Sequence, residues 1–124
     1  IGSRWVSGGS VENWPAYRML LSRGGNAYAK FMLGSKIKDM TAGFRVYQAQ
    51  LLQRLHLKDL AAHGYSFQVE MTRKCEQIHA SITEVPITFV EREHGVSKMS
   101  NAIVLEAMWL VTLLGFKRAF GIKK

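Results

Sequence analysis

The sequence predicts an α/β fold, and three observations support this. Residues Ile82–Val90 are rich in the β-branched and aromatic side chains that strands favour. Apolar residues recur at helical spacing over Ala16–Leu33 and again over Ser66–Ala80. Hydrophobic residues make up 48% of the 124 residues, which is enough for one small domain with a core. The single cysteine, Cys75, excludes an internal disulfide, favours a reducing compartment and is expected to be a small buried hydrophobe.

The N-terminal third of the chain is predicted to be the end of a strand followed by a long helix. Ile1–Val6 is the strand end, Val11–Pro15 is a connector, and Ala16–Leu33 is the helix. We expect the apolar side chains of this helix to face a core, namely Tyr17, Leu20, Leu21, Tyr28, Phe31 and Met32. Gly24 and Gly25 each cost about 1 kcal/mol relative to alanine. The close approach of another backbone or of a ligand would explain their presence.

Three polar residues near this helix form a candidate phosphate site. Arg18 and Ser22 are four residues apart, so they lie on one face of the helix. Arg4 comes from the preceding strand and could reach the same place. Two arginines and a hydroxyl beside glycines would suit a phosphate monoester. The alternative is two solvated arginines and an ordinary helix serine.

The middle of the chain contains one candidate acid. Asp39 stands alone among bases in the polar loop Lys36–Gly43, which precedes a short predicted helix at Ala49–Leu57. One interpretation makes Asp39 a turn residue that bonds the amide of Thr41 or Ala42. The other makes it a carboxylate of a functional site.

A second candidate anion site follows the predicted strand Ile82–Val90. The loop after this strand contains Arg92, Gly95, Ser97 and Lys98. Such a loop offers positive charge, a neutral donor and a glycine that lets a ligand approach the backbone. The alternative is a solvated loop in which two acids offset two bases.

The last predicted element is a helix over Met99–Phe120. Its apolar part, Ala102–Phe116, is 15 residues long, short of the roughly 20 needed to cross a bilayer. With Trp109 near its centre and a basic end at Lys117–Lys124, it suits the plane of a membrane interface. The alternative to an interfacial helix is a core helix, which would pack on a part of the protein outside this sequence.

The charge of the chain favours anionic partners. Seventeen Lys and Arg face nine Asp and Glu, for a net charge of +8, which suits phosphates, acidic lipid headgroups or nucleic acid. The sequence has no P-loop, Cys-x-x-Cys, His-x-x-x-His or nucleophile elbow. A basic nucleic-acid-binding module and a membrane-surface adaptor therefore remain as alternatives, although the bases are spread over several elements.

The motifs of the chain, taken in order, bear a family resemblance. They are Ile1–Val6, Trp14–Pro15, Arg18, Leu21–Arg23, Asn26, Asp39–Arg45, Gly64–Gln68, Glu70, Glu84–Phe89, Arg92, Gly95 and Ser97–Lys98. This set resembles the C-terminal half of dolichol-phosphate or polyprenol-phosphate mannosyltransferases, in family 2 of the inverting glycosyltransferases. The resemblance implies the C-terminal portion of a Rossmann-like GT-A domain over residues 1–98. Residues 99–124 would then form an amphipathic interfacial helix with a basic tail.

The resemblance also implies a role for each candidate residue on the acceptor side. Arg4, Arg18 and Ser22 match positions that bind the phosphate of the lipid acceptor. Asp39 matches an acid at the wall of the site, and we expect it to orient groups rather than to act as a base. The acceptor phosphate has a second pKa of about 6, so it is already largely ionised near neutral pH.

On the donor side, the resemblance makes Arg92 a second catalytic residue, which contacts the sugar diphosphate with Ser97 and Lys98 in a closing loop. The implied reaction moves mannose from GDP-mannose to dolichyl or polyprenyl phosphate, with UDP-glucose as an alternative donor. Mg²⁺ or Mn²⁺ would assist the leaving diphosphate, but this chain has no Asp-x-Asp motif, so no metal ligand is expected in it. The chain is therefore expected to be part of a longer protein, inactive alone, and peripheral to the cytoplasmic face of a membrane.

Overall fold

The computed structural model describes residues 1–60, 64–95 and 101–122. Its α-helices are α1 (Ala16–Leu33), α2 (Ala49–Arg54), α3 (Tyr65–Gln77) and α4 (Asn101–Ala119), with a short 3₁₀ turn at Leu57–Asp59. Its strands are β1 (Gly2–Ser3), β2 (Ser10–Glu12), β3 (Val85–Pro86) and β4 (Thr88–Val90). The mixed α/β class that the sequence predicts is confirmed.

The four strands form two small parallel pairs. Strand β1 pairs with β3, and β2 pairs with β4, with Val11 opposite Phe89. The predicted strand Ile82–Val90 is thus divided into two short strands. Ile87 links the two pairs, because its N–H donates to the Ser3 carbonyl and its carbonyl accepts from the Ser10 N–H, each at 3.0 Å. The prediction of a connector at Val11–Pro15 is wrong for its first residues, which belong to β2.

Helix α1 has the predicted bounds but a different buried face. It ends at Gly34, which adopts the left-handed conformation (φ 62°) that favours glycine. The expected core positions Tyr17, Leu20 and Phe31 are instead 73%, 73% and 80% exposed. The buried residues of the helix are Asn26, Ala29 and Leu33. Two of the predicted residues, Tyr28 and Met32, are partly buried and do pack against the core.

The main core lies where α1, α3 and α4 meet. Its buried residues are Ala29, Leu33, Ile37, Met40, Val69 and Val111. Helices α1 and α4 approach closely at Gly115, where a Cβ would lie 2.7 Å from the Met32 Cε. Cys75 belongs to a second cluster with Leu55 and Met71, and burial raises the pKa of its thiol. The prediction that Cys75 is a small buried hydrophobe is confirmed.

Helix α4 buries one face and exposes another. Val111 and Gly115 are buried, whereas Leu105, Trp109 and Phe116 are exposed. Within the described ranges, no helix is long and apolar enough to span a membrane. The predicted start of this helix at Met99 lies outside the described residues.

Candidate functional site

Arg4 and Asp39 form a buried ion pair. Arg4 directly follows β1, and Asp39 lies in the loop between α1 and α2. The Arg4 Nε and Nη2 atoms donate to the two oxygens of the Asp39 carboxylate at 2.8 Å each, and the Arg4 backbone N–H adds a third bond at 2.9 Å. Asp39 is fully buried and Arg4 is 8% exposed. Asp39 is therefore bound to an arginine, and the interpretation that it bonds the amide of Thr41 or Ala42 is wrong.

Two side chains, one from helix α1 and one from the residue before β3, hold the backbone around Asp39. The Glu84 carboxylate accepts from the N–H groups of Lys38 at 3.0 Å and of Asp39 at 2.9 Å. The Asn26 Oδ1 atom accepts from the Met40 N–H at 2.8 Å. Charged acceptors make strong bonds to backbone donors, so the position of the acid is tightly defined.

Arg45 holds the other side of the same loop. Its Nη2 and Nε atoms donate to the carbonyls of Met40 and Ala42 at 2.6 and 2.7 Å. Its Nη1 atom reaches α3, where it donates to the Thr72 hydroxyl at 2.8 Å and the Gln68 carbonyl at 3.1 Å. Arg45, which ends the motif Asp39–Arg45, thus joins the loop to helix α3.

Arg18 lies in an aromatic cluster that Arg4 also reaches. The Arg18 guanidinium is 4.3 Å from the centroid of the Trp14 ring, and that of Arg4 is 5.4 Å from the same centroid. Phe89 meets Trp14 edge-on, with centroids 5.6 Å apart. Arg18 also forms an ion pair with Glu91, which follows β4. The structure therefore brings two of the three predicted phosphate-binding residues to one ring, each already paired with a carboxylate.

The aromatic cluster retains unused hydrogen-bond donors. The Nε1 atoms of Trp5 and Trp14 and the Nε atom of Arg18 are buried and have no hydrogen-bond partner in the described part of the chain. Arg23 adds positive charge, with its guanidinium 4.9 Å from the Trp5 ring centroid. Buried donors are normally satisfied in proteins, so these three mark a place where a ligand with oxygen atoms could bind.

A cleft of about 80 Å³ lies between α1, α3 and α4. Its polar lining comes from Arg4, Ser22, Asn26 and Thr41, and its other lining residues are Leu21, Gly25, Ala29, Tyr65, Val69, Val104, Ala107, Met108 and Val111. Ser22, the third predicted phosphate-binding residue, thus shares this cleft with Arg4. The cleft combines one cationic group with largely apolar walls.

The two glycines of α1 face open space. Among the described residues, no atom lies within 4 Å of the point that a Cβ would occupy at Gly24 or Gly25. The expectation that another part of the backbone approaches them closely is therefore wrong. Gly25 lines the cleft, so its missing side chain leaves room there.

The predicted donor loop is described only in part. Arg92 is exposed and has no ion-pair partner within residues 1–60, 64–95 and 101–122, while Ser97 and Lys98 lie outside those ranges. No three His, Cys, Asp or Glu side chains of the described residues are grouped so that they could hold a metal ion. These residues do not fit a divalent cation, which would need other ligands.

Five residues of the site received no role from the sequence. Asn26, Glu84 and Arg45 position the Asp39 loop, Trp14 supports both arginines, and Glu91 pairs with Arg18. One signal could have found Asn26, which lies four residues after Ser22 and so on the same face of α1. Glu91 gave no such signal, because a carboxylate among bases in a loop is typical of a solvated surface.

Comparison with known proteins matches nearly the whole chain. The chain is 46% identical over 117 residues to the polyprenol monophosphomannose synthase of Mycolicibacterium smegmatis. This alignment covers 94% of the chain and 44% of the relative. The chain is 49% identical over 115 residues to the undecaprenyl-phosphate mannosyltransferase of Micrococcus luteus. This second alignment covers 93% of the chain and 47% of the relative. The chain thus spans about half the length of the curated relatives that it matches.

No family model matches the chain, and no solved structure matches it. At this level of identity, nearly the whole chain shares a common ancestor with the two relatives. The resemblance that the ordered motifs indicate is confirmed. The chain is a homologue of the C-terminal half of the polyprenyl-phosphate mannosyltransferases.

Proposed function

We propose that this chain is the acceptor-binding half of a longer enzyme that transfers mannose from GDP-mannose to a polyprenyl phosphate. The observation that carries the proposal is that Arg4 and Arg18 meet at the Trp14 ring, beside a cleft that Arg4 and Ser22 line. The names of both relatives, which refer to lipid-linked phosphates and to mannose, support the same assignment.

The chemistry of the cleft suits an amphiphile with an anionic head. The phosphate would bind near Arg4, Arg18 and Ser22, where guanidinium groups and a hydroxyl supply donors. The apolar walls would take the first part of the prenyl chain. At about 80 Å³ the cleft is smaller than pockets that enclose whole ligands, so the rest of the lipid would lie outside it.

Asp39 would act on the acceptor through Arg4. Its carboxylate holds the guanidinium by two bonds of 2.8 Å, which defines the plane in which the remaining donors of Arg4 point. The attacking oxygen of a phosphate monoester needs no base near neutral pH. The attacking oxygen is nevertheless repelled as it approaches a negatively charged sugar diphosphate. The positive charges of Arg18 and Arg92 would offset this repulsion, and Arg4, whose charge Asp39 compensates, would supply hydrogen-bond donors.

Apart from Arg92, the donor side of the reaction depends on residues outside the described part of the chain. Arg92, with Ser97 and Lys98, would contact the diphosphate of the donor. Mg²⁺ or Mn²⁺ would assist the departure of the nucleoside diphosphate and would be held by the other half of the enzyme. The chain alone would therefore be inactive. This half would also form the C-terminal portion of a GT-A domain.

The outer faces of α1 and α4 would rest on the cytoplasmic surface of a membrane. Trp109 is 71% exposed and Tyr17 is 73% exposed, on two helices that pack against each other. Lys117 and Arg118 in the last turn of α4 add positive charge. Exposed aromatic side chains with neighbouring bases are typical of proteins that bind anionic lipid surfaces.

The proposal can be tested in the full-length protein by transfer of radiolabelled mannose from GDP-mannose to a short-chain polyprenyl phosphate with Mg²⁺. Arg18→Ala should raise the KM for the polyprenyl phosphate by about tenfold or more, because a charge-assisted bond to the acceptor is lost. Arg54→Ala removes the same charge from exposed α2 and should leave the KM unchanged.

Each other outcome revises one part of the proposal. An unchanged KM in Arg18→Ala would refute the acceptor site but keep the activity. Transfer from UDP-glucose instead of GDP-mannose would change the donor. No transfer from any sugar nucleotide would refute the enzyme and favour a nucleic-acid-binding module, whose affinity should fall steeply with salt.

A further inference from the structure

The two arginines of the proposed acceptor site are held by carboxylates in very different ways. Asp39 is fully buried, makes two bonds to the Arg4 guanidinium, and lies in a loop tied down by Glu84, Asn26 and Arg45. Removing one partner from such a buried pair leaves an uncompensated charge and is strongly destabilising. The Arg4–Asp39 pair therefore stays together when a ligand binds.

Glu91 is held much less firmly. One of its carboxylate oxygens contacts one nitrogen of Arg18, and its side chain is 27% exposed. Its backbone N–H makes only a long bond, 3.4 Å, to the Glu12 carbonyl. The Arg18 and Glu91 side chains are 13% and 27% exposed, compared with 9% and 0% for Arg4 and Asp39. Because the cost of separating an ion pair falls as its partners become more exposed, the Glu91 carboxylate can leave Arg18 at a lower cost than Asp39 can leave Arg4.

Arg18 keeps its place without Glu91. The face of the Trp14 ring lies 4.3 Å from the guanidinium carbon, which is a favourable cation–π distance. Trp14 is itself held edge-on by Trp5 and Phe89. The guanidinium would therefore remain in position, with its buried Nε atom still unpartnered, if the carboxylate moved away.

The charges favour the departure of one carboxylate when a phosphate binds. With both arginines paired, each pair is neutral, and a phosphate dianion would meet two arginines whose charge is already compensated. We infer that Glu91 occupies the place of the acceptor phosphate on Arg18 and is displaced when the phosphate binds. This inference rests on the proposed acceptor site.

Displacement of Glu91 has a consequence for the donor side. Arg92 is the next residue in the chain and is exposed. When the phosphate releases Glu91 from Arg18, the segment that carries Arg92 loses its side-chain attachment to α1. Acceptor binding would thus free Arg92 to move, and an empty acceptor site would restrain it.

The test measures the Kd of a short-chain polyprenyl phosphate for the full-length protein by calorimetry. Glu91→Gln removes the negative charge that competes with the phosphate for Arg18 but keeps the size and shape of the side chain. It should therefore lower the Kd by about 3- to 10-fold. Glu93→Gln is the matched control, because Glu93 is exposed, lies two residues away and has no ion-pair partner among the described residues. It should change the Kd far less. Glu91→Asp, whose shorter side chain reaches Arg18 less well, should give an intermediate gain.

A double substitution separates this inference from the proposed function. In an Arg18→Ala background, Glu91→Gln should give no further gain in affinity. A gain that persists there, or equal effects of Glu91→Gln and Glu93→Gln, would overturn the inference while leaving the acceptor site intact. If Arg18→Ala itself does not weaken binding, the acceptor site is wrong and the inference falls with it.

Discussion

Asp39 and Arg4 form the central contact of the site at the scale of single residues. The carboxylate is fully buried and accepts three bonds from Arg4, and the Thr41 hydroxyl lies 3.0 Å from the Arg4 Nη2 atom. Because each charge is compensated by the other, the pair can be buried beside aromatic rings. Arg4, held in this pair, also lines the cleft between α1, α3 and α4.

Replacing Asp39 should therefore destabilise the protein. Asp39→Asn leaves the Arg4 charge buried without a counter-charge, which should lower the free energy of unfolding by about 3–5 kcal/mol. Urea unfolding of the full-length protein, followed by circular dichroism, measures this change. Asp59→Asn is the control, since Asp59 is exposed in the 3₁₀ turn. It should change stability by less than about 0.5 kcal/mol. Equal losses in the two variants would contradict a stabilising role for the pair.

At the scale of the element, helix α1 illustrates what periodicity can and cannot predict. Helical spacing and the proline before Ala16 predicted its bounds correctly. They identified its buried face only in part, because both the large apolar residues and the small ones repeat at helical spacing. Met32 contacts α4 at Gly115 and Tyr28 bonds Thr112 of the same helix, whereas Phe31 is exposed and Ala29 is buried.

The loop around Asp39 was also beyond prediction from the sequence. Its shape depends on Glu84, Asn26 and Arg45, which come from three separate parts of the chain. Such side-chain-to-backbone bonds have no periodicity and appear only when the elements are assembled. The motif containing Asp39 could be found in the sequence, but its partner Arg4 was predicted only as a separate phosphate ligand.

Gly25 offers a test of the cleft at this scale. Gly25→Ala and Gly24→Ala should each stabilise the protein by up to about 1 kcal/mol, because alanine favours a helix interior and neither Cβ would meet another atom of the described chain. Only Gly25 lines the cleft. Its substitution should raise the Kd for the polyprenyl phosphate several-fold, whereas Gly24→Ala should not.

Thermal unfolding and calorimetry of the two glycine variants provide the two readouts. Equal affinities in both variants would mean that the prenyl chain does not use the cleft. A loss of stability in both would mean that the open space beside α1 is needed by the other half of the full-length protein.

At the scale of the whole molecule, the exposed apolar side chains are unevenly distributed. Helices α1 and α4 pack on each other and both expose large apolar residues, among them Tyr17, Leu20, Phe31, Trp109 and Phe116. The sequence predicted this property for the last helix but assigned the α1 residues to a core. These exposed side chains form the surface through which we propose that the protein contacts lipid, since no described helix is long and apolar enough to span a membrane.

The membrane-binding face can be tested with vesicles that contain anionic lipid. Trp109→Glu places a charge where an apolar ring would enter the interface, so the fraction of full-length protein that sediments with the vesicles should fall by about tenfold. Leu57→Glu is the control, because Leu57 is an exposed apolar residue of the 3₁₀ turn, away from α1 and α4. It should leave sedimentation unchanged.

Equal binding of both variants would show that charge alone attracts the protein to the vesicles, and binding should then vanish at high salt. Loss of binding only in Trp109→Glu, with mannose transfer to a detergent-dispersed acceptor retained, would assign lipid contact to this face and separate it from the acceptor site.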